Sequence, residues 1–241
     1  MKRVLLFAGL PLAGAMVLLF YGPIPQDPAY HDFADRRALW GIPNFWNTVS
    51  NLPFLLVALW GLGAVPAVKQ WEREAYAAVL AGTASIAAGS SYYHLWPGNG
   101  TLFWDRLPMT MVFMALLATF LGERVSPQAG RRLLLPLLAL GAASVVYWRC
   151  SGDLRLYGLV QFYPMAALPL MVLLFPARYT GTGGIWAMFA WYGLAKILEA
   201  ADFPIAARLP VSGHSLKHLA AAAAMACYVS YIAHRRPVLP C

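Results

Sequence analysis

The chain has 241 residues, 60% of them hydrophobic and only 12% charged, with a mean hydropathy of +0.58. A water-soluble domain carries roughly 25% charged residues, so this composition excludes an ordinary soluble enzyme and puts the chain in the membrane class. The net charge of +8 sits in short connections between apolar runs, which suits topology signals and argues against nucleic acid as a partner.

Lys2 and Arg3 precede an apolar run over 4–21. That run is long for a signal-peptide core and adequate for a span, so it reads as an uncleaved helix. Seven further stretches approach the length of a span: 45–66, 75–96, 106–122, 133–149, 157–175, 184–201 and 213–233. The expected fold is therefore all-α, a polytopic transmembrane helical bundle, with an extra helix over 1–22 and a seven-helix domain over 23–241. If the N-terminus is cytoplasmic, ten Lys and Arg residues fall on the cytoplasmic side and six on the other. The bias has the sign that the positive-inside rule requires. Cys150, Cys227 and Cys241 include no CxxC pair and suggest neither a disulfide framework nor a thiolate metal site.

Ionisable residues inside spans are costly and mark functional sites by default. Here Asn44 opens the second span, Ser90 and His94 close the third, and Asp105 opens the fourth. Glu199 closes the seventh, and His214 and His218 open the eighth. Parity sets all of these termini at one face, which scattered structural polar residues would have no reason to choose.

Ser90 and His94 are four residues apart and share a helix face, as do His214 and His218 in GHSLKH. The turn WPGNG brings the head of the next helix back beside His94, setting Asp105 at a helix N-terminus where the dipole favours a carboxylate. Three imidazoles with one open position describe a catalytic zinc site. Asp105 is suited to take a proton from water, and Ser90 to donate to an oxyanion. His31 and His234 read as ordinary loop and terminus residues. Lys196 and Glu199 read as an i, i+3 ion pair, with Glu199 a possible counter-ion for Lys217 as well.

The motifs NFWNTVSNLPF (44–54), GSSYYH (89–94), WDRLPM (104–109) and GHSLKH (213–218) resemble those of the alkaline ceramidase family, within the superfamily that also contains adiponectin-receptor-like hydrolases. The resemblance runs from about residue 30 to the end of the sequence. It implies a seven-helix membrane fold, a zinc ion on His94, His214 and His218, catalytic roles for Asp105 and Ser90, and hydrolysis of ceramide or a related N-acyl lipid. It also raises a calcium site at Asp32, Asp35 and Asn44. There Asn44 stands where the family has Glu, and Arg36 and Arg37 follow the second Asp. An Asp–Arg cluster that orders the loop is an equal alternative for those residues.

Two readings from other classes stand beside the hydrolase. One is a receptor-like or lipid-binding protein with structural zinc, and the other is a proton or ion pathway. The expected setting is a bacterial inner membrane, with a lipid substrate approached from the bilayer and the active face on the non-cytoplasmic side.

Overall fold

The computed structural model describes residue 9, residues 13–18 and residues 20–238. It is all-α: no strand occurs among the described residues, only isolated bridges such as Pro25 with Asp153. In chain order the helices are α1 (Phe45–Val49), α2 (Leu52–Leu62), α3 (Arg73–Leu95), α4 (Asn99–Arg124), α5 (Pro127–Ser151), α6 (Arg155–Leu174), α7 (Thr182–Ala200), α8 (Asp202–Ala206) and α9 (Gly213–His234). The expected helix at 1–22 falls partly outside the described residues. Of its length, residues 9, 13–18, 20 and 21 are helical.

Five stretches are long and apolar enough to cross a bilayer: Phe45–Leu62, which joins α1 and α2, and α4, α5, α6 and α9. Helices α3 and α7, expected as spans, have the length (23 and 19 residues) but are not among those five. The reason is chemical. α3 carries Arg73, Glu74, Thr83, Ser85, Ser90, Ser91 and His94, and α7 carries Lys196 and Glu199. Much of α3 is buried among its neighbours, including Thr83, Ser90 and His94, so protein surrounds those three polar groups. The chain is a membrane-spanning helical bundle.

Close helix contacts are built from glycine. A Cβ on Gly89 would come within 2.1 Å of the Trp104 carbonyl oxygen, and one on Gly213 within 2.3 Å of the Leu198 carbonyl oxygen. Small residues allow backbones in a membrane bundle to approach. These two set the α3–α4 and α7–α9 crossings, and each precedes a candidate site residue, Ser90 and His214.

Both ends of the bundle hold buried polar groups. At one end, α3, α4, α7 and α9 bring His94, Asp105, Glu199 and His214 together. At the other, Glu72 and Arg235 form an ion pair, Arg235 Nη1 lies 2.8 Å from Glu123 Oε2, and Arg124 Nε lies 3.1 Å from Glu123 Oε1. This second cluster was not expected. Arg124 and Arg235 are two of the ten cytoplasmic-side charges that the sequence offers as topology signals, yet both are buried. Setting them aside, with the buried Arg106 on the other side, leaves eight against five, and the bias keeps its sign.

Candidate metal centre

The segment from residue 22 to residue 44 is a strap over one end of the bundle. Ile24 N–H donates to Asp153 Oδ1 at 3.2 Å, and Leu154 N–H returns to the Ile24 carbonyl at 2.8 Å. Arg106 Nη2 donates to Gln26 Oε1, and His31 bridges Tyr93 Oη at 2.9 Å and Asn99 Oδ1 at 3.0 Å. Further on, Ala34 N–H donates to Asp202 Oδ2 at 3.0 Å. His31 is thus a tie between the strap and the bundle rather than an idle loop residue.

Under the strap, one nitrogen from each of His94, His214 and His218 lies within 4.8 Å of the others, and all three side chains are buried. It is the only such group of His, Cys, Asp and Glu found among the described residues. Their spacing along the helices explains the convergence: His94 is in the last turn of α3, and His214 and His218 occupy the first two turns of α9. His94 Nε2 and His214 Nε2 are 3.3 Å apart, and His94 Nδ1 is buried with no hydrogen-bond partner. Three buried bases with no acid between them, two of them nitrogen to nitrogen at 3.3 Å, fit a shared cation better than a network of helix contacts.

Each ligand is aimed by neighbours. Ser50 Oγ lies 2.8 Å from His218 Nδ1, leaving Nε2 for a metal. The Phe33 ring from the strap packs on His94 and His214 at centroid distances of 4.7 and 4.8 Å. Asp202 accepts the His214 N–H at 2.7 Å through Oδ1 while holding the strap through Oδ2. Asn47, fully buried, donates to the Asp35 carbonyl and accepts from Ser212 and Ser215 at the head of α9. Asn47, Ser50, Asp202 and Phe33 were not singled out from sequence. The asparagine-rich NTVSN segment was the available signal for the first two; no local pattern marks Asp202 or Phe33.

Ser90, Asp105 and His218 line one cavity of about 300 Å³, whose remaining wall is largely apolar, with Ile86, Val112, Leu116 and Met225 among its residues. The Ser90 hydroxyl is in hydrogen-bonding contact with the Asp105 carboxylate. One expectation fails here. α4 begins at Asn99, so Asp105 lies in the second turn rather than at the helix N-terminus, and the first turn holds no acidic residue. The helix dipole acts within about one turn, so Ser90 and the cavity set the environment of Asp105 instead. The expected pair of Glu199 with both lysines is present: Lys196 Nζ contacts Oε2, and Lys217 Nζ is 2.6 Å from Oε1.

The three residues considered for calcium are held separately. Asp32 pairs with Arg36 at 2.8 Å on the surface. Asp35 receives Arg37 Nη2 at 2.6 Å and Nε at 2.9 Å, a bidentate contact that holds its carboxyl below the usual carboxylate range. Asn44, in the left-handed region at φ 46°, donates its side-chain amide to the His94 carbonyl at 2.8 Å.

A family model for ceramidases matches residues 38–180. The chain belongs to the ceramidase family. The matched region holds Ser90, His94 and Asp105, and the helix pairing carries the site on to His214 and His218 beyond it. Ceramidases act on the amide of ceramide-like lipids, in keeping with the apolar cavity and the membrane bundle. No curated protein matches the chain.

Proposed function

We propose that the protein is a zinc-dependent hydrolase that cleaves the amide of ceramide or a related N-acyl lipid, releasing a fatty acid and an amine. The observation that carries this reading is the convergence of three buried imidazoles beside a cavity that also contains Ser90 and Asp105 and continues into apolar surface. The three-histidine donor set suits zinc. When bound, such an ion lowers the pKa of its water to about 7 and polarises a carbonyl oxygen.

The protein's own groups supply the rest. The apolar wall holds the acyl chain, and the amide sits at the polar end near His218. Asp105 takes a proton from the attacking water on a carboxylate oxygen, and Ser90 keeps that carboxylate oriented. The water oxygen joins the carbonyl carbon, the C–N bond breaks, and Asp105 returns its proton to the departing nitrogen. Once Asp105 is protonated it no longer needs the Ser90 proton, and the Ser90 O–H can turn to donate to the carbonyl oxygen as charge builds on it. Ser50 orients the His218 ring, and Asp202 holds the backbone at His214, so that the head of α9 needs no rearrangement.

A receptor-like protein with structural zinc would not require Asp105 and Ser90 in the same cavity as a metal-binding histidine, which favours the hydrolase. An ion pathway fits less well, because the two polar clusters lie at opposite ends with an apolar core between them. We assign residues 1–22 to an additional helix and residues 23–241 to the hydrolase unit. The charge bias supports a site on the non-cytoplasmic face, and the short loops between spans support a bacterial inner membrane as the setting. Calcium at Asp32, Asp35 and Asn44 would have to displace Arg36 and Arg37 and turn Asn44 from His94, so we propose zinc alone. The test is an Asp105→Asn variant of the detergent-purified protein, assayed for release of fatty acid from ceramide and from N-acyl amines. Zinc retained with turnover lost supports the assignment; hydrolysis at the wild-type rate removes Asp105 from the mechanism.

A further inference from the structure

The cavity beside the metal centre has a definite depth and a floor. Its lining runs from Asp105 to Leu116 along α4, from Glu199 to Met188 along α7 and from His218 to Met225 along α9. At about 1.5 Å per helical residue, these stretches give a depth of about 10–16 Å. Polar side chains gather at the upper rim, where Glu199 pairs with Lys196 and Lys217, and Ser90 contacts Asp105. Below that rim the lining residues of α4 and α9 are apolar throughout and end in Leu116 and Met225.

Two to four residues beyond the last lining position, each of the four surrounding helices contributes one large side chain: Phe120 from α4, Met171 from α6, Ile185 from α7 and Tyr228 from α9. All four are at most 2% exposed and belong to one packed core. Phe120 is in ring contact with the cavity-lining Phe189 at a centroid distance of 6.3 Å. One turn past Phe120 and Tyr228, Tyr231 donates to Glu123 at 2.8 Å within the charged cluster of the opposite end. The apolar path therefore stops at this layer, because packed side chains close it and ion pairs stand behind them. A packed interior admits extra methylenes only at a cost.

The polar rim also decides which chain of an amide lipid enters. The amine portion of a ceramide bears hydroxyls beside the nitrogen, and hydroxyls need hydrogen-bonding partners, which lie at the rim. The acyl chain has no polar atom beyond its carbonyl and suits the apolar depth. An extended chain of single bonds advances about 1.2 Å per bond, as a polypeptide backbone does with three bonds per residue.

We infer that the cavity measures the acyl chain of its substrate, that the layer of Phe120, Met171, Ile185 and Tyr228 is the stop, and that acyl chains of about 9–14 carbons fit it fully extended. The inference rests on the hydrolase reading for the placement of the amide carbonyl at the metal centre. Chain-length selection can nevertheless be measured by binding, without turnover. Leu116 and Phe120 act here as specificity determinants.

The experiment is a competition on the full-length, detergent-purified protein, in which a dodecanoyl amide labelled with a fluorophore on its amine is displaced by N-acylsphingosines. The hexanoyl, dodecanoyl, stearoyl and lignoceroyl compounds are compared at equal mole fraction in the detergent. The dodecanoyl compound should compete best, and the stearoyl and lignoceroyl compounds about tenfold or more worse, the scale of overfilling a packed site. Removing part of the stop in Phe120→Ala should move the optimum to longer chains by about one helical turn of depth, or about four carbons. Leu116→Phe, which adds bulk instead of removing it, should move the optimum to shorter chains. Equal competition by the dodecanoyl and lignoceroyl compounds in the wild type overturns the proposal whether or not the variants fold. An unchanged optimum in either folded variant overturns the assignment of the stop. A second series holds the acyl chain at dodecanoyl and varies the amine from octylamine to octadecylamine. If the length optimum follows the amine instead, the cavity takes the other chain and the acyl assignment falls. Length-selective binding with no amide cleaved contradicts the hydrolase reading and leaves the measure of chain length standing. Cleavage of all acyl lengths alike, with no optimum in binding, does the reverse.

Discussion

Both ends of the bundle bury polar groups, and they do different things with them. At one end Glu72, Glu123, Arg124 and Arg235 interlock, Tyr231 Oη donates to Glu123 at 2.8 Å, and the Arg235 guanidinium stacks 4.3 Å from the centre of the Tyr179 ring. Acids meet bases there, and the product is a tie between the Gln70–Glu72 turn, α4 and the end of α9. At the other end three bases face one another with no acid among them, and a cavity opens alongside. Burial alone therefore does not mark function in this molecule. What separates the ends is whether the buried groups are matched within the protein or, like the three imidazoles, left for something from outside it.

That contrast can be broken by mutation, and the effects should differ in kind. The largest is expected for Asp105→Asn, which should lower amide hydrolysis by about 10³-fold, within the range for loss of a general acid–base group, with metal content unchanged. At the opposite end, Arg235→Met leaves Glu72 and Glu123 without their main partner and should cost about 3–5 kcal/mol of stability, read as a lower unfolding midpoint in detergent. The surviving folded fraction should keep its metal. Loss of metal in that variant would mean that the two ends are coupled and the contrast is wrong.

A smaller effect is expected at Ser50. Removing the group that orients a metal-bound imidazole costs about 10–100-fold in metal affinity, so Ser50→Ala should release zinc at correspondingly lower chelator concentration. An affinity equal to that of the wild type would show that His218 needs no such support. The smallest effect concerns the strap. Arg155, hydrogen-bonded to Asp153, holds that carboxyl at about 2 against an ordinary value of 3.8. A depressed folded-state value gives a contribution that is full above the unfolded pKa and fades as pH falls through the folded one. The difference in unfolding midpoint between wild type and Asp153→Asn should therefore shrink as pH is lowered from about 5 towards 2. A difference that grows over that interval would contradict the ion-pair assignment.

The parts legible in the sequence were those with short-range periodicity. His214 and His218 share a helix face because of their spacing, Ser90 and His94 likewise, and the WPGNG turn joins α3 to α4 as expected. Less legible were features that depend on contacts distant in sequence. Asp202 gains its role from joining Ala34 to His214 across 168 and 12 residues, and nothing around it signals that. Glu72, Arg124 and Arg235 looked like loop charges because each lies at or just beyond a helix end. Only their mutual pairing removes them from the surface. The position of Asp105 was misjudged by about a turn, since hydropathy rises after the polar start of α4 while the helix itself begins at Asn99.

The central claim is that the three histidines hold one zinc ion. Metal content of the full-length protein, purified without histidine tag or added metal and compared with His214→Ala, tests it most directly. The account predicts about one zinc per chain in the wild type and essentially none in the variant. A metal-free wild type that remains folded, or equal zinc in both proteins, would return His94, His214 and His218 to the role of helix contacts, and the hydrolase reading would fall with the site.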